Sequence, residues 1–237
     1  MIGANRDERR DRAFLAPGRH WPDAPGVVGG RDVLGGGSWL GVNDDGVFAT
    51  IVNGMDRLGP QSGKASRGEL VVRALRERDA TGAAQTIGTV DVERYRGFTM
   101  LIADRKTAFS VSNDERAIAV ERLAPGHHLV TPDGCDVPGS PRFAAHFEAF
   151  RAAAVPNPAL GDWTGWAELL TRTDEDDPHR ATLVAGSDTG TVSSTLVALP
   201  VDRAAAPVLL FAAGPPGLTA YAIVREPWVR PARVESA

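Results

Sequence analysis

The sequence predicts an α+β fold: a four-layer αββα sandwich of two antiparallel sheets, with helix pairs on the outside. Three observations predict it. The elements run strands, helices, strands, helices, strands, and grouped helices argue against a parallel doubly wound sheet, in which they would alternate with strands. Gly and Pro number 26 and 17 among 237 residues, more than usual but below the level of disorder, which implies many turns between short strands. Apolar residues make up 43 %, enough to build a core.

In chain order, Gly35-Gly36-Gly37 leads into an apolar run at 38–42. Asn43-Asp44-Asp45-Gly46 then makes a turn, and 47–52 is the return strand. Asp-Gly between two apolar runs marks a β-hairpin. The glycine triplet lacks the GxxxxGK[ST] pattern and precedes a strand, so it reads as a turn rather than a phosphate loop. Ser66-Arg67-Gly68-Glu69 has capping-box spacing, and Leu70, Val71, Ala74 and Leu75 form one apolar face, which predicts a helix over 67–78. A shorter helix is expected over 80–87. Runs at 98–103, 108–112, 117–123 and 128–130, broken by Asn113-Asp114 and Pro125-Gly126, read as an antiparallel meander. Ser140-Pro141 supplies an N-cap and first-turn proline ahead of the stripe Phe143, Phe147 and Phe150. Asp162 caps a further helix carrying Trp163, Trp166, Leu169 and Leu170. Strands over 182–185, 192–199, 208–212 and 219–224 close the pattern. Residues 1–226 read as one domain, with a fraying tail over 227–237.

Charge and cysteine content narrow the function classes. With 26 basic and 30 acidic side chains the net charge is −4, and no basic stripe is present to neutralise phosphates. A nucleic-acid partner is therefore not expected, and an anionic membrane surface is disfavoured. The single cysteine excludes an intramolecular disulfide and a thiolate zinc cluster. No stretch reaches membrane-spanning length, so no membrane insertion is expected. The start turns charged too early for a signal-peptide core. A soluble, cytoplasmic protein is the expectation.

The densest polar cluster is Asn5-Arg6-Asp7-Glu8, directly after a strand-like start. Its guanidinium suits an anionic group or the activation of a neighbouring nucleophile. The plainer reading is a solvated turn, since the charge run continues through Arg12. His127-His128 with Asp133, Cys135 and Asp136 suggests a metal, but adjacent strand residues point to opposite faces and no recognised ligand spacing is present, so no metal site is assigned. Cys135 reads as an incidental loop thiol. Ser193-Ser194-Thr195 is not a GxSxG elbow.

Taken together, several segments resemble the NRDE family, also called the Transport and Golgi organization protein 2 family. They are Ala4-Asn5-Arg6-Asp7-Glu8, Trp21, Gly30-Arg31-Asp32, the stretch from Gly36 to Gly41, Ala49 to Asn53, and Ser66 to Leu70. Tyr95 to Phe98 with Ala103-Asp104, then Pro125-Gly126, and Gly190 to Thr195 follow in the same order. The resemblance implies an N-terminal-nucleophile (Ntn) hydrolase-like fold. Family members begin Met-Cys with a first strand before the Asn-Arg-Asp-Glu signature, whereas here Met1 stands four residues before Asn5, so that Cys and strand are missing. An upstream Met-Cys start is therefore expected. Val192 and Thr131-Pro132 also depart from the family pattern, where Arg and Asn are common.

Two functions follow from the resemblance. The first is handling of a small apolar anionic ligand, with haem trafficking as the leading family-based reading. Ligand contacts are assigned to Asn5, Arg6, Asp7, Glu8, Trp39, Asn53 and Arg67: Arg6 and Arg67 meet carboxylates, and Trp39, with Trp21 second, covers a flat ring. C-x-x-C-H is absent, so haem would be a ligand rather than a covalent cofactor, and no other cofactor is implied. The plainer reading makes Arg6 and Arg67 ion-pair partners of Asp7, Glu8 or Glu69. The alternative function is an Ntn amidohydrolase acting on C–N amide bonds. In it Arg6 stabilises the thiolate of a restored cysteine while Asp7 and Asn53 orient the substrate.

Overall fold

The computed structural model describes residues 1–54, 59–202, 205–226 and 228. The tail read as fraying, 227–237, lies outside them except for Trp228, which packs against the core between the sheets. Strand β1 (Ile2–Arg9) opens the chain. Strands β2 (Phe14–Gly18), β3 (Val27–Asp32), β4 (Leu40–Asn43) and β5 (Phe48–Asn53) follow. Helices α1 (Gly68–Ala74) and α2 (Ala80–Gly88) lead to β6 (Phe98–Ala103), β7 (Ala108–Asn113) and β8 (Ile118–Arg122). β2 to β8 form one seven-stranded antiparallel sheet in sequence order. A small hairpin, β9 (Val130–Thr131) and β10 (Gly134–Cys135), precedes α3 (Pro141–Ala152) and α4 (Thr164–Leu169). The last strands, β11 (Thr189–Ala198), β12 (Val208–Ala212) and β13 (Ala222–Ile223), join β1 in a four-stranded antiparallel sheet of order β1-β11-β12-β13.

Three cores separate four layers, as the element order predicts. Leu70, Val71, Ala84 and Ile87 of α1 and α2 pack on Phe98, Met100 and Val111 of the large sheet. Val28, Leu40, Phe48, Val197 and Leu209 fill the space between the two sheets. Trp163, Leu170, Leu196 and Ala198 form the third core, under α3 and α4. The neighbours Leu196 and Val197 enter different cores because successive strand residues face opposite ways.

Several local expectations give way to tertiary contacts. α1 ends at Ala74 rather than 78 because the Asn43 amide donates to the carbonyls of Leu75 (2.9 Å) and Glu77 (2.7 Å), while Val47 N–H donates to Asn43 Oδ1. The capping box does not form: α1 has no side-chain cap, and Glu69 instead accepts from Tyr95 Oη (2.5 Å) and Arg94 (3.0 Å). Residues 128–130 do not extend the meander; Val130 pairs with Cys135 in the separate hairpin. Residues 182–185 are not a strand, since the Thr182 hydroxyl donates to Leu169 O (2.6 Å) and anchors the segment to the end of α4. The strand predicted over 219–224 shrinks to Ala222–Ile223.

The phenylalanine stripe of α3 is only half-buried, and the one fully buried side chain of this helix is His146. Its Nε2 lies 2.6 Å from Arg180 O, and its Nδ1 is buried with no partner among the described residues. Burial, then the charges of Arg172, Arg142 and Arg180, pushes its pKa below the ordinary 6.5. The folded state therefore resists a proton that the unfolded chain accepts, so stability is full above about pH 6.5 and declines as pH falls below it. Between about pH 7 and pH 5 the urea midpoint of the wild type should drop more than that of His146→Gln. Parallel pH profiles for the two would refute this role.

Candidate functional site

The Asn-Arg-Asp-Glu segment lies within β1, not in a turn after it, and its alternation divides the four side chains between two layers. Ile2 and Ala4 pack between the sheets, and Arg6 follows them inward. Asn5 faces the outer helices: its Nδ2 donates to Leu170 O (2.9 Å) and Thr182 O (2.7 Å), and its Oδ1 accepts from Ser194 Oγ (2.6 Å). Arg6 pairs with Ser193 and Asp7 with Thr191, so Val192, the departure noted in the sequence, falls at a bulge. Asp7 also faces outward, accepting from Thr191 Oγ1 (2.6 Å) and lying 3.6 Å from Arg142 of α3. Burial pushes its carboxyl pKa up, against the pull of Arg142 and Thr191.

On the inner face, the Arg6 guanidinium carbon lies 4.3 Å from the Trp39 ring centroid and 5.2 Å from that of Phe14, and Phe14 meets Trp39 edge-on at 5.6 Å. Trp39 is held in turn: its carbonyl accepts from Thr50 Oγ1 and Ile51 N–H, and its ring fills the space above Gly30, where a Cβ would come within 2.1 Å of it. A flat ligand ring therefore does not have the Trp39 face to itself, because Arg6 already covers it. Arg6 is buried (8 % exposed), its nearest carboxylate, Glu8, is 3.8 Å away, and its Nη1 has no acceptor among the described residues. Ser193 Oγ, across the strand pair, is likewise buried without a partner among the described residues. Burial pushes the guanidinium pKa down, opposed by Glu8 and Asp32. Glu8 lies 3.6 Å from Arg12, whose Nε donates to Asp32 Oδ2 at 2.8 Å.

Arg6, Trp39, Asn53 and Arg67, together with Asn5, Asp7 and Glu8, all border one cleft of about 2660 Å³ with mostly apolar walls. Asn53 ends β5 opposite Phe98. Arg67 stands at the start of α1, donating to Gly97 O (2.9 Å) and Gly59 O (3.4 Å). Burial first, then Arg96, lowers its pKa to about 10, while Glu115 and Glu8 oppose the shift. Arg67 has no contact with Glu69, which goes to Arg94 and Tyr95. Trp21 is not at the cleft: its Nε1 donates to Gly36 O and its ring packs against the helix-side core. Cys135 does not border the cleft either, and burial followed by Asp136 pushes its thiol pKa up to about 12. Phe14, Arg96 and Arg142 were not singled out from sequence, and Ser193 was weighed there only as a nucleophile elbow that it is not. Strand alternation was the available signal, since it places Ser193 and Arg6 on one face once the two strands are paired.

A family model described as Transport and Golgi organisation 2 matches residues 1–153. The chain belongs to this family. The stretch matched by the Transport and Golgi organisation 2 model carries Arg6, Trp39, Asn53 and Arg67, while β11 with Ser193 lies beyond it. No curated protein matches the sequence. Among solved structures, penicillin V acylase from Agrobacterium tumefaciens superposes with a TM-score of 0.51 at 11 % identity, covering 89 % of this chain and 78 % of the acylase. That likeness shows an Ntn-hydrolase-like fold, and a shared fold carries no chemistry by itself. Among the described residues no helix is long and apolar enough to cross a membrane.

Proposed function

We propose that the chain binds a small apolar anion in the cleft that Arg6 borders, with haem as the leading candidate cargo. The observation that carries this reading is Arg6: a buried guanidinium clamped on Trp39 and Phe14, with Nη1 lacking an acceptor among the described residues. An unsatisfied buried donor is costly, and an incoming carboxylate relieves that cost with a charge-assisted hydrogen bond. The cleft exceeds an ordinary ligand pocket several-fold, so a large planar dicarboxylate fits the available room. Arg67, which like Arg6 is influenced by the Glu8 charge, is the second carboxylate partner in this reading.

The amidohydrolase reading has less support from this chain's own residues. In it Asp7 would orient the substrate beside Arg6, but Asp7 faces the outer helices, 3.6 Å from Arg142. Haem titration followed by the Soret band and Trp quenching tests the binding reading. The wild type should saturate, and Arg6→Ala, checked for folding by circular dichroism, should bind about 10- to 100-fold more weakly. Metal-free protoporphyrin should also bind, because the recognition lies in the carboxylates and the ring. Absence of saturable binding, or wild-type affinity in both Arg6→Ala and Trp39→Phe, would overturn the assignment.

A further inference from the structure

The β9–β10 hairpin gathers three donors that the cleft reading does not use. A ring nitrogen of His128, Cys135 Sγ and an Asp136 carboxylate oxygen all lie within 4.8 Å of one another, and the three residues are half-buried. The rejected pair, His127 and His128, is not what comes together. Instead the hairpin turn folds Cys135 and Asp136 back beside His128.

We propose that His128, Cys135 and Asp136 form a binding site for a borderline divalent cation of the zinc class. The mixed nitrogen, sulfur and oxygen donor set selects such an ion over calcium or magnesium, which take oxygen ligands. The outer contacts fit as well. His128 Nε2 lies 2.7 Å from Ala124 O, an obligate acceptor, so Nε2 keeps its proton, and the Nδ1 lone pair is freed for the ion when the proton shared with Asp136 leaves. Asp136 Oδ1 accepts from Leu129 N–H (2.8 Å), which leaves Oδ2, 2.5 Å from His128 Nδ1, as the ligating oxygen.

Metal-ligand bonds of zinc length set donor atoms about 3.5 Å apart around a tetrahedral ion, so the cluster adapts by side-chain rotations of about 1 Å. The ion replaces the thiol proton and the proton shared between Nδ1 and the carboxylate, and both leave to solvent. A dication thus exchanges for two protons, and the net charge of the cluster is unchanged. Three protein ligands leave a fourth position, and the Glu121 carboxylate stands within electrostatic reach of both Cys135 and His128. His128 also borders the cleft, so an ion here would stiffen part of its wall.

The test uses the untagged full chain, reduced and stripped with chelator, titrated with Zn²⁺ by calorimetry and with Co²⁺ by absorbance. Because Cys135 is the only cysteine, a thiolate-to-cobalt charge-transfer band reports that sulfur alone. One ion per chain is expected, with the band lost in Cys135→Ser. Zinc affinity should fall at least tenfold in Cys135→Ser and in His128→Gln, and stay unchanged in His179→Gln. A folded wild type without the cobalt–thiolate band overturns the site, as does zinc affinity that neither ligand variant alters.

Discussion

Gly37→Ala should destabilise the protein by about 3 kcal/mol, the upper part of the range for forced overpacking. A Cβ on Gly37 would sit 2.2 Å from the carbonyl carbon of Gly68, 2.5 Å from its oxygen and 2.6 Å from Glu69 N. These are backbone atoms at the start of α1, so no side-chain rotation relieves the clash. Moving the loop away strains two hydrogen bonds, Asp32 N–H to Gly37 O (2.9 Å) and Ser38 N–H to Gly68 O (3.0 Å). It also shifts Trp39, two residues on, and with it the platform under Arg6. Gly139→Ala is the control, since a Cβ there meets nothing within 4 Å. Unfolding free energies of the two variants, from urea titration, within about 0.5 kcal/mol of each other would refute the close-approach argument.

The second large effect is expected at Asn5. Replacing it with alanine removes three short hydrogen bonds and leaves the carbonyls of Leu170 and Thr182 without their donor. At about 1 kcal/mol per bond the loss is roughly 3 kcal/mol, concentrated where the α4 end and the 182 segment meet β1. Asn5→Asp preserves the shape but sets a carboxylate against two carbonyl oxygens, so it should be at least as unstable. If Asn5 touched ligand instead, its variants would lose haem affinity while keeping wild-type urea midpoints. That pattern would contradict the structural role assigned to it.

The layer plan was legible in the sequence. Grouped helices, the Asp-Gly hairpin and the apolar faces of α1 and α2 are patterns in which each residue constrains only its near neighbours, so local sterics and hydrophobic periodicity suffice to determine them. The same alternation implied that Arg6 and Asp7 would face different layers once their segment was a strand. Reading that segment as a turn concealed it. The rest depended on partners distant in the chain. The ends of α1 and the fate of Glu69 were decided by Asn43, Tyr95 and Arg94, whose side chains compete with local capping.

The candidate site itself is tertiary. Arg6 meets Phe14 and Trp39 only because the four-stranded sheet stacks on the seven-stranded one, and it faces Ser193 only through a register set between segments nearly 190 residues apart. Asp7 finds Arg142, and His128 finds Cys135 and Asp136, by the same kind of closure. By itself, then, the sequence determined which residue types were available and on what period they recur. Which charges are buried, which are paired and which are left without an acceptor was decided only when the layers closed, because desolvation and hydrogen-bond satisfaction depend on every atom nearby and not on the neighbours along the chain.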